Sequence, residues 1–243
     1  MEIDERAMRR SLSFLSLIFT TIFLSLIALI LYPFDRKGEL VNKIGRFWAI
    51  VHLKVCGIKV SSEGLQNISE PPYIFMCNHQ SVLDIFALLT SLRLSFKWIA
   101  KKELFMVPFL GWALKVGKNI SLDRKNPRRA LKAMNEAGRS IKDGMNVVIF
   151  PEGTCSKDGA LLSFKKGGFS LALRTGAPII PIGIRGTGKL QPEGCYVPRK
   201  KGMINIKIGQ PVYIGKEVKP AKTRLMLEVR SSIEELIAYT EDS

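Results

Sequence analysis

The chain carries two histidines, and one of them, in Asn78-His79-Gln80-Ser81-Val82-Leu83-Asp84, has a carboxylate five residues behind it. An imidazole held at one nitrogen by a carboxylate keeps a fixed tautomer and offers its other nitrogen as a base. The spacing restricts how the two side chains can meet. On one regular helix, residues five apart point about 140° away from each other. His79 and Asp84 therefore pair only if His79 lies in a turn and Asp84 in the first helical turn after it. The flanking sequence has that form. Tyr73-Ile74-Phe75-Met76-Cys77, behind Pro71-Pro72, is short and apolar, with aromatic and β-branched residues, as a buried strand is. Ser81-Val82-Leu83-Asp84 fits a capping box, and Ile85-Phe86-Ala87-Leu88-Leu89 supplies the apolar run of a helix. Taken alone, a solvated loop histidine beside a helix-start carboxylate fits the same pattern.

Three other stretches carry chemistry. In Val147-Val148-Ile149-Phe150-Pro151-Glu152-Gly153-Thr154-Cys155-Ser156, an apolar strand ends in a turn bearing a carboxylate and hydroxyls. Downstream, Ser163-Phe164-Lys165-Lys166-Gly167-Gly168-Phe169 sets lysines and glycines ahead of a helix, where backbone amides suit an anion. Asn119-Ile120-Ser121-Leu122-Asp123-Arg124 ends a strand in an arginine, whose fork suits a phosphate. An ion pair with Asp123 is the ordinary alternative for Arg124, and a plain strand-loop-helix connection with solvated lysines is the ordinary alternative for the second stretch. The cysteines Cys56, Cys77, Cys155 and Cys195 form no CxxC pair, which suits free thiols in a reducing compartment. With so few histidines and scattered cysteines, no metal site is expected.

The elements that must position these residues alternate. Strands are expected at Ile58-Val60, Tyr73-Cys77, Phe96-Ala100, Asn119-Leu122, Val147-Phe150, Ile179-Ile184 and Ile204-Ile208. Helices are expected at Val82-Leu92, Pro108-Val116, Pro127-Lys142, Phe169-Thr175 and Lys222-Tyr239. In the third of these Leu131, Met134 and Ile141 share a face, Pro127 sits at the start and Gly144 closes the end. The last should pack as a lid on the sheet through Leu225, Val229, Ile233, Leu236 and Ile237. This alternation predicts an α/β fold with a mixed, largely parallel twisted sheet flanked by helices. In such folds, sites form where loops leave the carboxyl ends of strands.

Ahead of this domain, no charged residue falls between Leu12 and Tyr32, a run of roughly 20 positions and long enough for a bilayer. A long apolar region followed by Tyr32-Pro33-Phe34-Asp35 is a poor match to a cleaved signal peptide. From Ile44 to Val55, apolar residues Ile44, Phe47, Trp48, Val51 and Val55 recur at helical spacing with Lys43, Arg46 and Lys54 between them. This suits a helix lying in the membrane interface, with Trp48 at headgroup depth and lysines snorkelling. His52, inside that segment, suits packing or headgroup contact. The expected organisation is a two-helix membrane anchor over residues 1–56 and one globular α/β domain over 57–243. The composition, 37 Lys and Arg against 21 Asp and Glu for a net charge of +16, calls for anionic partners. Nucleic acid is disfavoured, because no nucleic-acid module is legible and the aromatics sit in apolar runs.

The order His79…Asp84, Arg124, Phe150-Pro151-Glu152-Gly153-Thr154, Ile180-Pro181-Ile182 closely resembles the 1-acylglycerol-3-phosphate acyltransferase family and its wider glycerolipid acyltransferase relatives. The likeness runs from about Gly57 to Gln210. Ala100-Lys101-Lys102-Glu103-Leu104, Pro108-Phe109-Leu110-Gly111-Trp112 and Phe164-Lys165-Lys166-Gly167 add to it. The resemblance implies acyl transfer from a thioester, on coenzyme A or acyl carrier protein as co-substrate, to the sn-2 hydroxyl of lysophosphatidic acid, with no bound cofactor. His79 is then the general base and Asp84 its holder, in a direct attack without a covalent intermediate. Arg124, Glu152, Gly153 and Thr154 would bind the glycerol phosphate, and Lys101 is a further candidate for it. The implied setting is an anionic phospholipid surface on the cytoplasmic side of the cell inner membrane.

Two positions depart from the family pattern. Cys155 stands where an arginine usually follows Glu-Gly-Thr, and Ser121 stands where an aromatic is common. Loss of a guanidinium makes another lysolipid, such as a lyso-ornithine lipid, the alternative acceptor. Cys155 with His79 also forms a possible Cys-His nucleophile pair for thioester exchange or hydrolysis. A non-catalytic, basic membrane-tethered binder is the alternative outside enzymology.

Overall fold

In the computed structural model, residues 2–70, 72–214 and 222–238 are described, with side chains from residue 7. Pro71 and Tyr239, which belong to expected segments, lie outside the described residues. The strand ahead of the histidine, β2 (Ile74–Cys77), lies in the middle of a seven-stranded sheet. The other strands are β1 (Ile58–Glu63), β3 (Phe96–Lys101), β4 (Ile120–Leu122), β5 (Asn146–Ile149), β6 (Ile179–Arg185) and β7 (Gly202–Ile208). They are ordered β1-β7-β6-β2-β5-β3-β4. Every neighbouring pair is parallel except β6 with β7. β2 pairs with β5 through Ile74↔Val147 and with β6 through Ile74↔Ile179. Every residue of β2 and β5 is buried, as expected of central parallel strands covered on both faces.

The helices are α1 (Glu2–Leu31), α2 (Glu39–Cys56), α3 (Leu83–Ser91), α4 (Leu110–Val116), α5 (Pro127–Lys142), α6 (Lys166–Thr175), the short α7 (Thr187–Leu190) and α8 (Lys222–Ala238). One face of the sheet, with Phe75, Val148 and Ile180, packs against α3 and α2 through Phe86, Leu88 and Leu53. The opposite face, with Ile74, Met76 and Ile149, packs against α5, α6 and α8 through Ala137, Phe169 and Val229. All seven expected strands are present, with ends shifted by one to three residues. Phe150 leaves the strand that was expected to include it. α6 starts three residues earlier than expected and takes in Gly167 and Gly168. A Cβ on Gly168 would stand 3.0 Å from Met76 Cε and 3.3 Å from Ile149 Cδ1. The glycines there permit close helix-sheet approach instead of a loop.

The packing face of α5 also differs from the expected stripe. Ala133, Ala137, Gly138 and Ile141 face the core, because small residues let α5 approach α6. Leu131 is 58% exposed and lines a cavity.

The two N-terminal helices form an antiparallel hairpin. The buried Asp35 side chain accepts from the Glu39 and Val41 amides at 2.8 and 2.9 Å and so satisfies the free N–H groups at the start of α2. Among the described residues one helical segment, Ala7–Phe34, is long and apolar enough to cross a membrane. α2 does not lie free in an interface as expected. Its Ala49, Leu53 and Cys56 belong to the same core cluster as the sheet, so the packing has no break at residue 56. Trp48 turns toward the protein: its ring packs on Phe86 at 4.6 Å, and its Nε1–H donates to Thr21 Oγ1 at 3.1 Å. His52 is buried against Phe86 at 4.5 Å. The Arg46 guanidinium donates to the carbonyls of Leu89, Leu92 and Leu94 at 3.2, 2.7 and 3.3 Å. A cation there completes the last turn of α3, whose final carbonyls have no helical partner.

Arg46→Ala removes those three charge-assisted bonds and should lower stability by about 1–3 kcal/mol. Arg46→Lys, a point charge without the fork, should recover only part of the loss. Thermal unfolding in detergent micelles measures both.

Candidate active site

The loop between β2 and α3 carries the pair singled out by spacing, and it is held from both sides. Asn78 is buried, its Nδ2 donating to Ile184 O at 2.9 Å and its Oδ1 accepting from Ile184 N at 2.7 Å. The side chain thus extends the sheet pairing sideways and pins the loop to the end of β6. His79 follows in the turn, and Asp84 sits in the first turn of α3. His79 Nδ1–H donates to Asp84 Oδ2 at 2.8 Å. The same carboxylate oxygen accepts from the amides of Gln80 and Ser81 at 2.7 and 2.9 Å. The expected capping box forms in altered form. Asp84 reaches back to the Ser81 N–H, while the Ser81 hydroxyl accepts from the Leu83 amide at 3.3 Å, not from Asp84 N, and donates to Gln191 O at 2.8 Å.

A buried Asp84 with Nδ1–H directed at it leaves Nε2 as the basic nitrogen. The imidazole stacks on Phe150, centroids 4.0 Å apart and planes 14° from parallel, which fixes its plane. Burial disfavours charge on His79, but hydrogen bonds to Asp84 and Cys155 outweigh it and push the pKa up to about 9.

The β5 turn meets this loop directly. Glu152 is buried; its Oε1 accepts from the His79 amide and its Oε2 from the Leu162 amide, each at 2.7 Å. Burial raises its pKa, partly offset by those amides and by the nearby imidazole. Both oxygens are therefore committed to backbone. The expectation that Glu152 binds the glycerol phosphate gives way to a bracing role, which suits a carboxylate better than contact with an anion. Gly153 has φ +79°, a region costly for other residues, and its amide donates to Phe150 O at 3.1 Å. Arg124 donates through Nη1 to the Gly153 carbonyl, bringing its guanidinium to the Glu-Gly-Thr turn. It makes no ion pair with Asp123, which instead accepts from Lys102 Nζ at 2.7 Å. Thr154 is exposed at the turn. Ser156 donates its amide to His79 O at 2.7 Å, which docks the turn against the β2–α3 loop.

These residues open onto one cavity of about 1360 Å³. His79, Lys101, Arg124, Gly153, Thr154, Cys155 and Lys165 line its polar end. Its apolar part runs between Trp98, Leu104 and Leu131 to Leu24 and Trp48 on the N-terminal hairpin. The site residues named from the sequence all line this cavity, except Asp84, which stands behind His79. Asn78, Phe150 and Lys165 were not singled out as site residues. Lys165 lay in a recognised basic stretch, but nothing local marks Asn78, whose partner is 106 residues away. Among the described residues no group of three or more His, Cys, Asp or Glu side chains is placed to hold a metal ion.

A histidine held by a buried carboxylate, with cations and an apolar recess in the same cavity, suits general-base chemistry on a substrate that has an anionic and an apolar part. The chain belongs to the Acyltransferase family, whose profile matches residues 59–185. It is similar to the 1-acyl-sn-glycerol-3-phosphate acyltransferase of the Arabidopsis thaliana chloroplast, 39% identical over 183 residues, or 74% of this chain and 50% of the relative. A Pseudomonas aeruginosa protein of the same name is 34% identical over 185 residues, covering 76% of this chain and 71% of the relative. The chain spans about half the length of the plant relatives it matches. In three dimensions it resembles the crystal structure of the Thermotoga maritima 1-acyl-sn-glycerophosphate (LPA) acyltransferase, PlsC. The TM-score is 0.79 at 29% identity, over 98% of this chain and 100% of that one.

A base must be unprotonated to act. With its pKa raised to about 9, His79 should make turnover climb as pH rises from 6.5 toward 9. Asp84→Asn removes the largest support for the imidazolium, so the climb should move to lower pH while the maximal rate drops on the order of 10²–10⁴-fold. A pH-rate series on both proteins measures the two effects separately.

Proposed function

We propose that this protein transfers a fatty acyl group from an acyl thioester to the sn-2 hydroxyl of lysophosphatidic acid, forming phosphatidic acid. The observation that carries this reading is His79 Nδ1 held on Asp84 at 2.8 Å, at the junction of the cationic and apolar ends of one cavity. The acceptor's phosphate is placed by Arg124 and Lys165, with Lys101 at the rim, and its hydroxyl meets His79 Nε2. As the hydroxyl oxygen attacks the thioester carbonyl carbon, His79 takes its proton, and the departing thiol receives one. The acyl chain lies in the apolar part of the cavity. Arg124 answers the absence of an arginine at position 155, because its guanidinium already reaches Gly153 O.

The setting follows from surface chemistry. Phe19, Phe34 and Met106 are 67%, 79% and 77% exposed, and side chains of this size at solvent favour a lipid contact. Arg9, near one end of α1, donates to Cys56 O and Arg199 O at 3.3 and 3.0 Å. Past the other end, a Cβ on Gly38 would stand 2.5 Å from Gly117 O. With both ends of α1 against the catalytic domain, the helix lies along one leaflet and the cavity opens to lipid. Acyl thioesters on coenzyme A or acyl carrier protein place this on the cytoplasmic side of the inner membrane, where the basic surface meets anionic lipid.

Purified protein in detergent, given labelled acyl-coenzyme A, should make phosphatidic acid from lysophosphatidic acid and none from lyso-ornithine lipid. His79→Ala should lose on the order of 10²–10⁴-fold in kcat, and Arg124→Ala should raise KM for lysophosphatidic acid about tenfold or more. Equal product with His79→Ala would refute the base assignment, and product from the ornithine lipid alone would move the acceptor. In flotation with vesicles of phosphatidylglycerol, wild type should rise with the lipid. A double variant, Phe19→Glu and Phe23→Glu, should stay behind.

A further inference from the structure

Between α7 and β7 the chain makes a turn that the acyl transfer just described does not use, and this turn lies against the first half of α1. Gln191 Nε2 donates to Cys195 O at 2.8 Å, the Cys195 amide to Pro192 O at 3.1 Å and the Arg199 amide to Leu190 O at 2.8 Å. Arg199 Nε also donates to Cys195 Sγ at 3.2 Å, and Val197 and Pro198 are buried. Between these fixed points Tyr196 is 81% exposed. A single aromatic ring at the surface is ordinary, but this one is held out on a braced turn. It meets Phe14 of α1 edge-on, with centroids 6.2 Å apart and planes at 65°, and Phe14 is itself exposed. Tyr196 thus carries the exposed apolar surface of α1, with Leu12, Leu15 and Phe19, onto the α/β domain. Cations gather beside the pair. Arg9 donates to Cys56 O and Arg199 O at 3.3 and 3.0 Å, which joins the start of α1, the end of α2 and the turn. Lys54 is in the last turn of α2, and a Cβ on Gly57 would stand 2.8 Å from Lys201 Cγ. Capping the end of α2 accounts for Arg9. Arg10, Lys54, Arg199, Lys200 and Lys201 are exposed, and none of them is in an ion pair among the described residues.

We propose that the turn from Cys195 to Lys201, with the adjoining ends of α1 and α2, docks on the headgroups of anionic phospholipids, the Tyr196 ring seated just beneath them. This rests on the lipid setting given above and fixes where on the molecule the anionic headgroups are met. A tyrosine suits that depth, because its ring is apolar and its hydroxyl stays wet. Cations beside an apolar face are the combination that holds a protein in the interface of an anionic bilayer. Each Lys or Arg near such a surface strengthens binding about fivefold, and salt screens the effect within a Debye length. An acidic carrier protein would also be drawn to the cations. The bilayer is the better fit, since Tyr196 packs on the same helix whose apolar side chains are exposed along its length, so charge and apolar surface are presented together. The anionic content of the membrane then sets how much of the enzyme is attached, and the docked turn fixes one end of α1 at headgroup depth.

Binding of the purified full chain would be measured on vesicles of phosphatidylcholine alone and of phosphatidylcholine mixed with phosphatidylglycerol. Wild type should bind the mixed vesicles about tenfold or more the tighter, and lose that preference in high salt. A triple variant, Arg199→Gln, Lys200→Gln and Lys201→Gln, should lose on the order of 10²-fold in affinity for the mixed vesicles and keep its affinity for phosphatidylcholine. In detergent micelles its turnover with acyl-coenzyme A should equal that of wild type, since none of the three lines the cavity. Tyr196→Trp should add fluorescence that phospholipids brominated on their acyl chains quench beyond the wild-type level. Equal affinity of wild type and the triple variant for the mixed vesicles would overturn the proposal, as would Tyr196→Trp emission that brominated lipid leaves at the wild-type level. Intact vesicle binding by the triple variant, with turnover lost only when the donor is on acyl carrier protein, would overturn it in favour of a carrier-protein surface. Wild type that binds both kinds of vesicle equally would overturn this proposal alone. Wild type that binds neither would overturn the lipid setting with it.

Discussion

A fully buried carboxylate is tolerated only when its charge is answered by hydrogen bonds, and Asp84 is answered by three. His79 Nδ1 and the amides of Gln80 and Ser81 all converge on its Oδ2. That convergence draws the β2–α3 loop into one tight turn and aims the imidazole outward. The same turn presents the His79 amide to Glu152 and the His79 carbonyl to Ser156. The second loop is therefore docked by the backbone of His79 itself. A buried anion at the start of α3 sets the shape of both loops.

The cavity and the N-terminal hairpin share structure. The cavity that begins at His79 ends against Leu24 on α1 and Trp48 on α2, and α2 is packed into the core of the sheet. The hairpin thus closes the apolar part of the cavity and also presents apolar side chains outward. In the proposed reaction this would let a lipid substrate enter from a bilayer without its chain crossing water, where each methylene costs about 0.8 kcal/mol. Arg46 and Asp35 matter here for structural reasons, one finishing α3 and the other starting α2.

The turn after β5 bears three kinds of group with separate jobs. Glu152 braces, since both its oxygens hold amides. Gly153 permits the left-handed bend and receives Arg124. Cys155 lines the cavity. Charge that an arginine at position 155 would carry is instead brought in from the β4 end. The substitution therefore exchanges a fixed cation for a thiol without emptying the turn of positive charge.

Short-range patterns were legible in the chain by itself. Hydropathy patterns marked all seven strands and every helix after residue 57 except the four-residue α7, and the five-residue spacing was enough to require a turn that brings Asp84 back to His79. The order of the strand-end stretches indicated the chemistry. Hydropathy alone did not reveal that α2 packs on the sheet, because an amphipathic stripe with interleaved cations looks the same whether its apolar side meets lipid or a sheet. It grouped Leu131 with Met134 and Ile141, of which Ile141 is buried and Leu131 exposed, since small residues beside Leu131 make the closer contact. The strand order, with β2 between β5 and β6 and one antiparallel pair, was decided only in three dimensions. That order makes neighbours of His79 and Glu152, 73 residues apart, and of Asn78 and Ile184, 106 apart. Local propensity reports which side of an element is buried; which distant amide a carboxylate or carboxamide will satisfy depends on how the sheet is assembled.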